Sequence, residues 1–140
     1  GDSVALVVGR GGALKLKTQC TSAVGISEAG GGLDERRARS RTQRHLLNNM
    51  MGDPALWLEK QAALDLAALD TVLVASDGLW DNLFIAEAIE AIRAGPLISA
   101  AQLLVDTVIS RMNAPVTGLP SKPDDVSFIL YRSQQIDLPG

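Results

Sequence analysis

The sequence is poor in several residue types that would point to particular protein classes. Cys20 and His45 are its only cysteine and its only histidine, so an internal disulfide is excluded and no Cys/His zinc pattern exists. Its 13 basic residues are outnumbered by 16 acidic ones, which argues against a nucleic-acid binder. No apolar run approaches the roughly 18 residues of a membrane span, so no membrane partner is indicated. We expect a reducing, cytoplasmic location.

The chain nevertheless has enough apolar residues for a folded core. Of its 140 residues 46% are hydrophobic, and the length suits one domain or part of one. It opens with Gly1-Asp2-Ser3, has no initiator methionine, and enters the apolar run Val4–Val8 at once. We therefore expect residues 1–140 to be a piece of a single larger domain.

The first half contains a predicted hairpin and a basic helix. The pattern predicts a buried strand over Val4–Val8, a turn over Gly9–Gly12, and a strand with one solvent-exposed face over Ala13–Lys17. An Arg-rich segment that contains Arg36–Arg44 follows and is typical of a solvated helix face. Asp53-Pro54 predicts a turn, before a possible short strand over 55–60.

The second half predicts a strand, two helices and a strand. Thr71–Ser76 is a buried strand, and Asp81 or Asn82 is the predicted N-cap of a helix that ends before Gly95-Pro96. A second amphipathic helix is predicted over Ser99–Met112, and a final strand over Val126–Tyr131. This order predicts an α+β fold with a largely antiparallel sheet.

Acidic residues lie at the ends of the two strongest strands in this half. Asp77 follows Thr71–Ser76, and Asp124 and Asp125 precede the final strand. If the two strands are antiparallel neighbours, these acids share one edge of the sheet. Gly78 would allow close backbone approach there, and carboxylates that converge favour a hard cation such as Mg²⁺ or Mn²⁺.

Each of these features also has a simpler structural interpretation. Asp77-Gly78 is more often a turn than a metal site, and Asp124-Asp125 is more often the entry to a strand. Asp81 is most simply an N-cap. Cys20 is interpreted as a small apolar filler and His45 as an ordinary polar histidine. Residue types alone do not decide between these interpretations.

Five segments of the chain form a specific pattern, and two of them bear the acids, with the sequences Ser-Asp-Gly-Leu-Trp-Asp and Lys-Pro-Asp-Asp-Val-Ser. In chain order the segments are Gly1–Ser3, Arg44–Gly52, Thr71–Asn82, Ile89–Met112 and Lys122–Leu130. Together they resemble one protein family, the metal-dependent Ser/Thr protein phosphatases of type 2C (PPM). The order of these segments across nearly the whole chain makes the resemblance specific, with features of the bacterial members.

The resemblance implies a fold, a cofactor and a reaction. The fold would be part of a four-layer α/β/β/α sandwich with mainly antiparallel sheets and a helix pair, with residues 1–140 as the C-terminal portion of the catalytic domain. A binuclear Mg²⁺ or Mn²⁺ centre would activate a water that hydrolyses phosphoserine or phosphothreonine in a phosphoprotein substrate. By motif position Asp77 and Asp124 would be metal ligands, Gly78 and Asp125 would support them, and Asp2 would be structural.

The sequence departs from the family pattern in ways that leave alternatives open. The upstream Asp-Gly-His-Gly stretch, an earlier acidic motif and a phosphate-binding basic residue of the family have no counterpart, and Val4 stands where an arginine is usual. We expect this chain by itself to be inactive or nearly so. The alternatives are a pseudophosphatase that binds phosphoproteins without catalysis, and an interaction module that uses Arg36–Arg44.

Overall fold

The structure is a computed structural model of the chain, and it describes residues 2–19, 51–56, 58, 60 and 62–133. The predictions for Cys20, His45 and the Arg-rich segment lie outside the described residues.

Four strands form one antiparallel sheet. They are β1 (Val4–Val8), β2 (Leu14–Lys17), β3 (Thr71–Ala75) and β4 (Phe128–Arg132). Their order across the sheet is β2-β1-β3-β4, and every neighbouring pair is antiparallel. The predicted hairpin is therefore confirmed, and the final strand begins two residues later than the predicted start at residue 126.

Three helices connect β3 to β4. They are α1 (Asp77–Trp80), α2 (Ile85–Ile92) and α3 (Leu97–Asn113). Helix α3 begins two residues before the predicted start at residue 99, directly after its N-cap residue Pro96. None of the described helices is long and apolar enough to cross a membrane.

The predicted capping residue of α2 was wrong. Its N-cap is Phe84, and Asp81 is instead the C-cap of α1. The side chain of Glu87, in the first turn, accepts a 2.8 Å hydrogen bond from the Phe84 backbone N–H, which satisfies a donor that the helix leaves unpaired.

The segment before β3 contains the predicted turn and no assigned strand. Asp53 Oδ1 accepts a 2.8 Å hydrogen bond from the Ala55 N–H, which closes the turn at Asp53-Pro54. Among the described residues between 55 and 60 no strand is assigned, so the short strand predicted there is not observed in them.

The helices cover one face of the sheet and form the core with it. Leu6, Val8 and Leu73 project from that face and are fully buried. From the helices, Ile92 of α2 and Leu104 of α3 pack into the same cluster. The α+β class, the antiparallel sheet and the helix pair are thus confirmed, while the described residues supply one of the two sheets of the expected sandwich.

The opposite face of the sheet is apolar and is exposed on β3 and β4, whereas Val7 of β1, on the same face, is buried. Val74 and Ile129 are opposite each other on β3 and β4 and are 42% and 70% exposed. Tyr131, which is opposite Val72, is 56% exposed.

Candidate metal centre

The pairing of β3 with β4 brings two distant acidic residues to the same end of the sheet. Ala75, the last residue of β3, is opposite Phe128, the first of β4. Beyond the strands, the Ser76 N–H donates to the Ser127 carbonyl at 2.9 Å, and the Ser127 N–H donates to Ser76 Oγ at 3.1 Å. The chain therefore enters α1 at Asp77 beside the segment that carries Asp124.

Gly78 allows α1 to lie directly against that segment. A Cβ atom at this position would lie 2.0 Å from the carbonyl oxygen of Asp125, which is closer than real Cβ atoms approach. The absence of a side chain is thus a steric requirement, since backbone blocks the space. Asp125 itself is exposed, and its N–H donates to Asp124 Oδ1 at 2.9 Å.

Asn82 joins the two segments from the inside. Its fully buried side chain donates to the carbonyl oxygens of Gly78 and Lys122, each at 2.8 Å, and its Oδ1 accepts from the Lys122 N–H at 2.9 Å. Sequence reasoning missed this role because a polar residue just before a helix looks like a cap.

Three carboxylates converge where the segments meet. Asp77, Asp81 and Asp124 each offer an oxygen, and these oxygens all lie within 4.8 Å of one another. Asp77 and Asp124 were predicted to meet at one edge, whereas Asp81 was interpreted as a cap and is a further member of the group. We call these three residues the carboxylate cluster.

Lys122 contacts two members of the carboxylate cluster. Its Nζ lies 2.9 Å from Asp81 Oδ2 and 2.6 Å from Asp124 Oδ2. Partial burial opposes protonation, but the hydrogen bonds that Lys122 donates to Asp124 and Asp81 outweigh this effect and raise the pKa of Lys122. Its ammonium group therefore stays charged and offsets part of the negative charge. Sequence reasoning missed the role of this lysine. The one feature of the sequence that could have indicated it is the position of Lys122 two residues before Asp124.

The environment of Asp77 disfavours its charged form. Partial burial raises its pKa most, the carboxylates of Asp2, Asp124 and Asp81 raise it further, and Lys122 opposes them. Asp2, to which only a structural role was assigned, therefore lies close enough to act on Asp77 electrostatically.

The donor set fits a hard divalent cation. All three members of the carboxylate cluster offer oxygen, which Mg²⁺, Mn²⁺ and Ca²⁺ prefer, and their mutual repulsion would be relieved by a cation between them. The carboxylate cluster could therefore hold a metal ion.

Comparison with known proteins identifies solved structures that share the fold of this chain. The sequence matches no protein-family model and no curated protein. The structure matches a serine/threonine phosphatase of S. agalactiae with a TM-score of 0.72 and 24% identity, over 96% of this chain and 52% of that one. It matches the Mycobacterium smegmatis PPM phosphatase MsPP, solved with cacodylate, with a TM-score of 0.71 and 23% identity, over 96% and 53%.

This chain has the PPM phosphatase fold. The Mycobacterium tuberculosis phosphatase PstP/Ppp gives the same result, with a TM-score of 0.70 and 23% identity, over 96% of this chain and 53% of that one. The chain thus spans about half the length of the PPM structures it matches. Its carboxylate cluster lies at one end of the sheet of this PPM fold.

Proposed function

We propose that residues 1–140 form the C-terminal portion of a single PPM catalytic domain, and that the whole protein hydrolyses phosphoserine and phosphothreonine in proteins. One observation carries this proposal: three carboxylates converge at a strand edge of a chain with the PPM fold. The fold supports the proposed phosphatase reaction, and the carboxylate oxygens support a divalent metal ion as the cofactor.

The residues of the carboxylate cluster would hold the cofactor, a pair of Mg²⁺ or Mn²⁺ ions. When bound, such ions supply charge neutralisation at the phosphoryl group and an activated water. Asp77 and Asp124 provide ligand oxygens from two segments that the β3–β4 pairing fixes. Gly78 supports them by allowing α1 to approach, and Asp125 supports Asp124 through its N–H. Asn82 holds both segments together.

The proposed substrate is a phosphoprotein, and the proposed location is the cytoplasm. One neighbour, MsPP, was solved with cacodylate, a tetrahedral oxyanion like a phosphate group. For this chain the corresponding ligand would be the phosphate of a modified serine or threonine.

The first test measures metal binding and phosphatase activity in the same variants. The whole protein is assayed with Mn²⁺ on a phosphothreonine peptide, and Mn²⁺ binding is followed by electron paramagnetic resonance. Asp77→Asn and Asp124→Asn should each lower kcat/KM by roughly 100-fold or more, because the ligands act as a unit. Both variants should also bind Mn²⁺ more weakly. Asp106→Asn, which changes an exposed carboxylate on α3, is the matched control.

The isolated chain should show little or no turnover in this assay. Robust turnover by the isolated chain would contradict the proposal that it is only a portion of the catalytic domain. An inactive whole protein would contradict the enzyme proposal.

A binding protein without catalysis is the second candidate, and Lys122 favours it. Its ammonium group already bonds two members of the carboxylate cluster, so charge there is partly balanced without a metal. A whole protein that binds a phosphothreonine peptide but neither turns it over nor binds Mn²⁺ would support this alternative.

A further inference from the structure

A cavity lined by three arginines lies at the other end of the sheet. Its volume is about 250 Å³, and it is lined by Arg10, Leu69, Arg93, Ala94, Gly95 and Arg132. None of these lining residues is acidic. Arginine is the side chain best suited to bind phosphate, because its planar group presents paired N–H donors.

The cavity is separate from the carboxylate cluster. Arg132 is opposite Thr71 at the start of β3, whereas Asp77 follows the end of that strand. The five residues of β3 separate the two ends by about 13 Å, at roughly 3.3 Å per residue. Binding at one end can therefore be measured independently of the other.

Arg132 forms the fixed wall of the cavity. Its Nε donates to Thr71 Oγ1 at 2.8 Å, its Nη2 donates to the Ile92 carbonyl at 2.7 Å, and its Nη1 donates to the Gly95 carbonyl. These bonds satisfy carbonyl groups at the C-terminus of α2 and offset the negative end of that helix. The repulsion between this helix terminus and an anion is thus reduced.

Arg93 lines the cavity and has N–H donors that are not used within the described part of the chain. Its Nε bonds Glu90 Oε2 at 2.7 Å, while its two Nη atoms bond no residue in the described part of the chain. The turn between β1 and β2 packs against its stem, since a Cβ at Gly12 would lie 3.2 Å from Arg93 Cδ. The position of this guanidinium is therefore set by the hairpin.

Arg10 belongs to that same turn and brings a third positive charge. It is exposed, and it makes no ion pair with a described residue. The nearby carboxylate of Glu90 is 69% exposed and already paired with Arg93, so it compensates only one of the three arginines.

We propose that this arginine-lined cavity binds a phosphate group. Arg10 and Arg93 would bind its oxygens with their unused N–H donors, and Arg132 would supply positive charge from the fixed wall. The volume accommodates a phosphate, free or as the monoester of a phosphoserine, and is below the usual range for larger ligands. This inference does not depend on the proposed phosphatase activity.

The test is calorimetric titration of the metal-free protein with inorganic phosphate and with a phosphoserine peptide, in a chelating buffer of constant ionic strength. Arg10→Gln/Arg93→Gln should weaken phosphate binding by about 10-fold or more. Lys17→Gln/Lys60→Gln removes two exposed charges elsewhere and should change the Kd less than about twofold. Arg10→Gln alone, in an exposed turn, provides a variant that keeps the fold.

Binding that persists in Asp77→Asn and is lost in the arginine variants would support the cavity, whatever the activity assay shows. Tighter binding of the phosphoserine peptide would identify a protein-borne phosphate as the ligand, and equal binding would identify free phosphate. No measurable binding, or equal losses in the lysine control, would overturn the proposal.

Discussion

The role of Lys122 could not be predicted from its position in the sequence. It lies in a polar loop two residues before Asp124, yet its Nζ bonds both Asp81 and Asp124. An ammonium group and a divalent ion both gain from the same carboxylates, so the lysine and a metal should compete.

Replacing Lys122 with methionine should strengthen metal binding. We expect Lys122→Met to lower the Kd for Mn²⁺ by roughly fivefold, equivalent to about 1 kcal/mol for a partly exposed ion pair. The measurement is an electron paramagnetic resonance titration with Mn²⁺. Lys60→Met, which removes an exposed charge elsewhere, should leave the Kd unchanged. Weaker Mn²⁺ binding in Lys122→Met would show that the lysine supports the metal instead of competing with it.

The sequence predicted two of the three members of the carboxylate cluster. The positions of Asp77 and Asp124 were predictable because each lies next to the end of a strongly apolar strand. When two such strands pair, the residues that flank the paired ends are brought close together. Asp81 was misassigned because aspartate before a helix is chemically suited to cap it, whereas the observed start is marked by Glu87 bonding the Phe84 N–H. Lys122 and Asn82 act over about 40 residues, and such partners follow only from the three-dimensional structure.

Among the elements, the contact of α1 with the segment before β4 controls the geometry of the site. This helix has only four residues, so its own hydrogen bonds contribute little, and its position depends on what it packs against. On one side Trp80 Nε1 donates to the Ala75 carbonyl at 3.1 Å, and on the other Gly78 meets the backbone of Asp125. The strands were predicted from their apolar runs, but α1 was not, because Asp77-Gly78 has the residue types of a turn. Close backbone approach at Gly78 was expected, whereas its partner, the backbone of Asp125, is visible only with both segments in place.

A methyl group at Gly78 should separate the two segments. Gly78→Ala should lower the free energy of unfolding by about 1–3 kcal/mol, because the added Cβ meets fixed backbone. It should also weaken Mn²⁺ binding. Chemical denaturation and a Mn²⁺ titration measure the two effects.

Gly11→Ala is the matched control for this substitution. A Cβ there meets no atom within 4 Å, so stability should change little. Equal stability losses in the two alanine variants would contradict the steric role of Gly78.

For the molecule as a whole, the two faces of the sheet differ in what covers them. The helices bury one face, while the other face is apolar and exposed on β3 and β4, at Val74, Ile129 and Tyr131. Contiguous apolar surface of this kind marks a contact surface in soluble proteins. The continuous apolar run of Thr71–Ser76 predicted a buried strand, and this was wrong for Val74, because hydropathy does not reveal whether a partner covers an apolar face.

In isolation the 140-residue chain should therefore self-associate. Val74→Thr/Ile129→Thr keeps residues that favour strands, makes the face polar, and should reduce association as measured by sedimentation velocity. Ile98→Thr, at an exposed position on α3, should have little effect. A wild-type chain that stays monomeric at high concentration would refute this prediction.

The connection from α3 back to the carboxylate cluster has a consequence for how such proteins diversify. Ser121 Oγ bonds the Arg111 carbonyl at 2.8 Å, and Lys122 is tied to Asn82, so the returning chain is anchored just before the acids. Residues 114–119 precede these anchors and are exposed, with open space around Gly118. Insertions of new sequence there would leave the acids in place, so related chains could gain loops at this point without disturbing the carboxylate cluster.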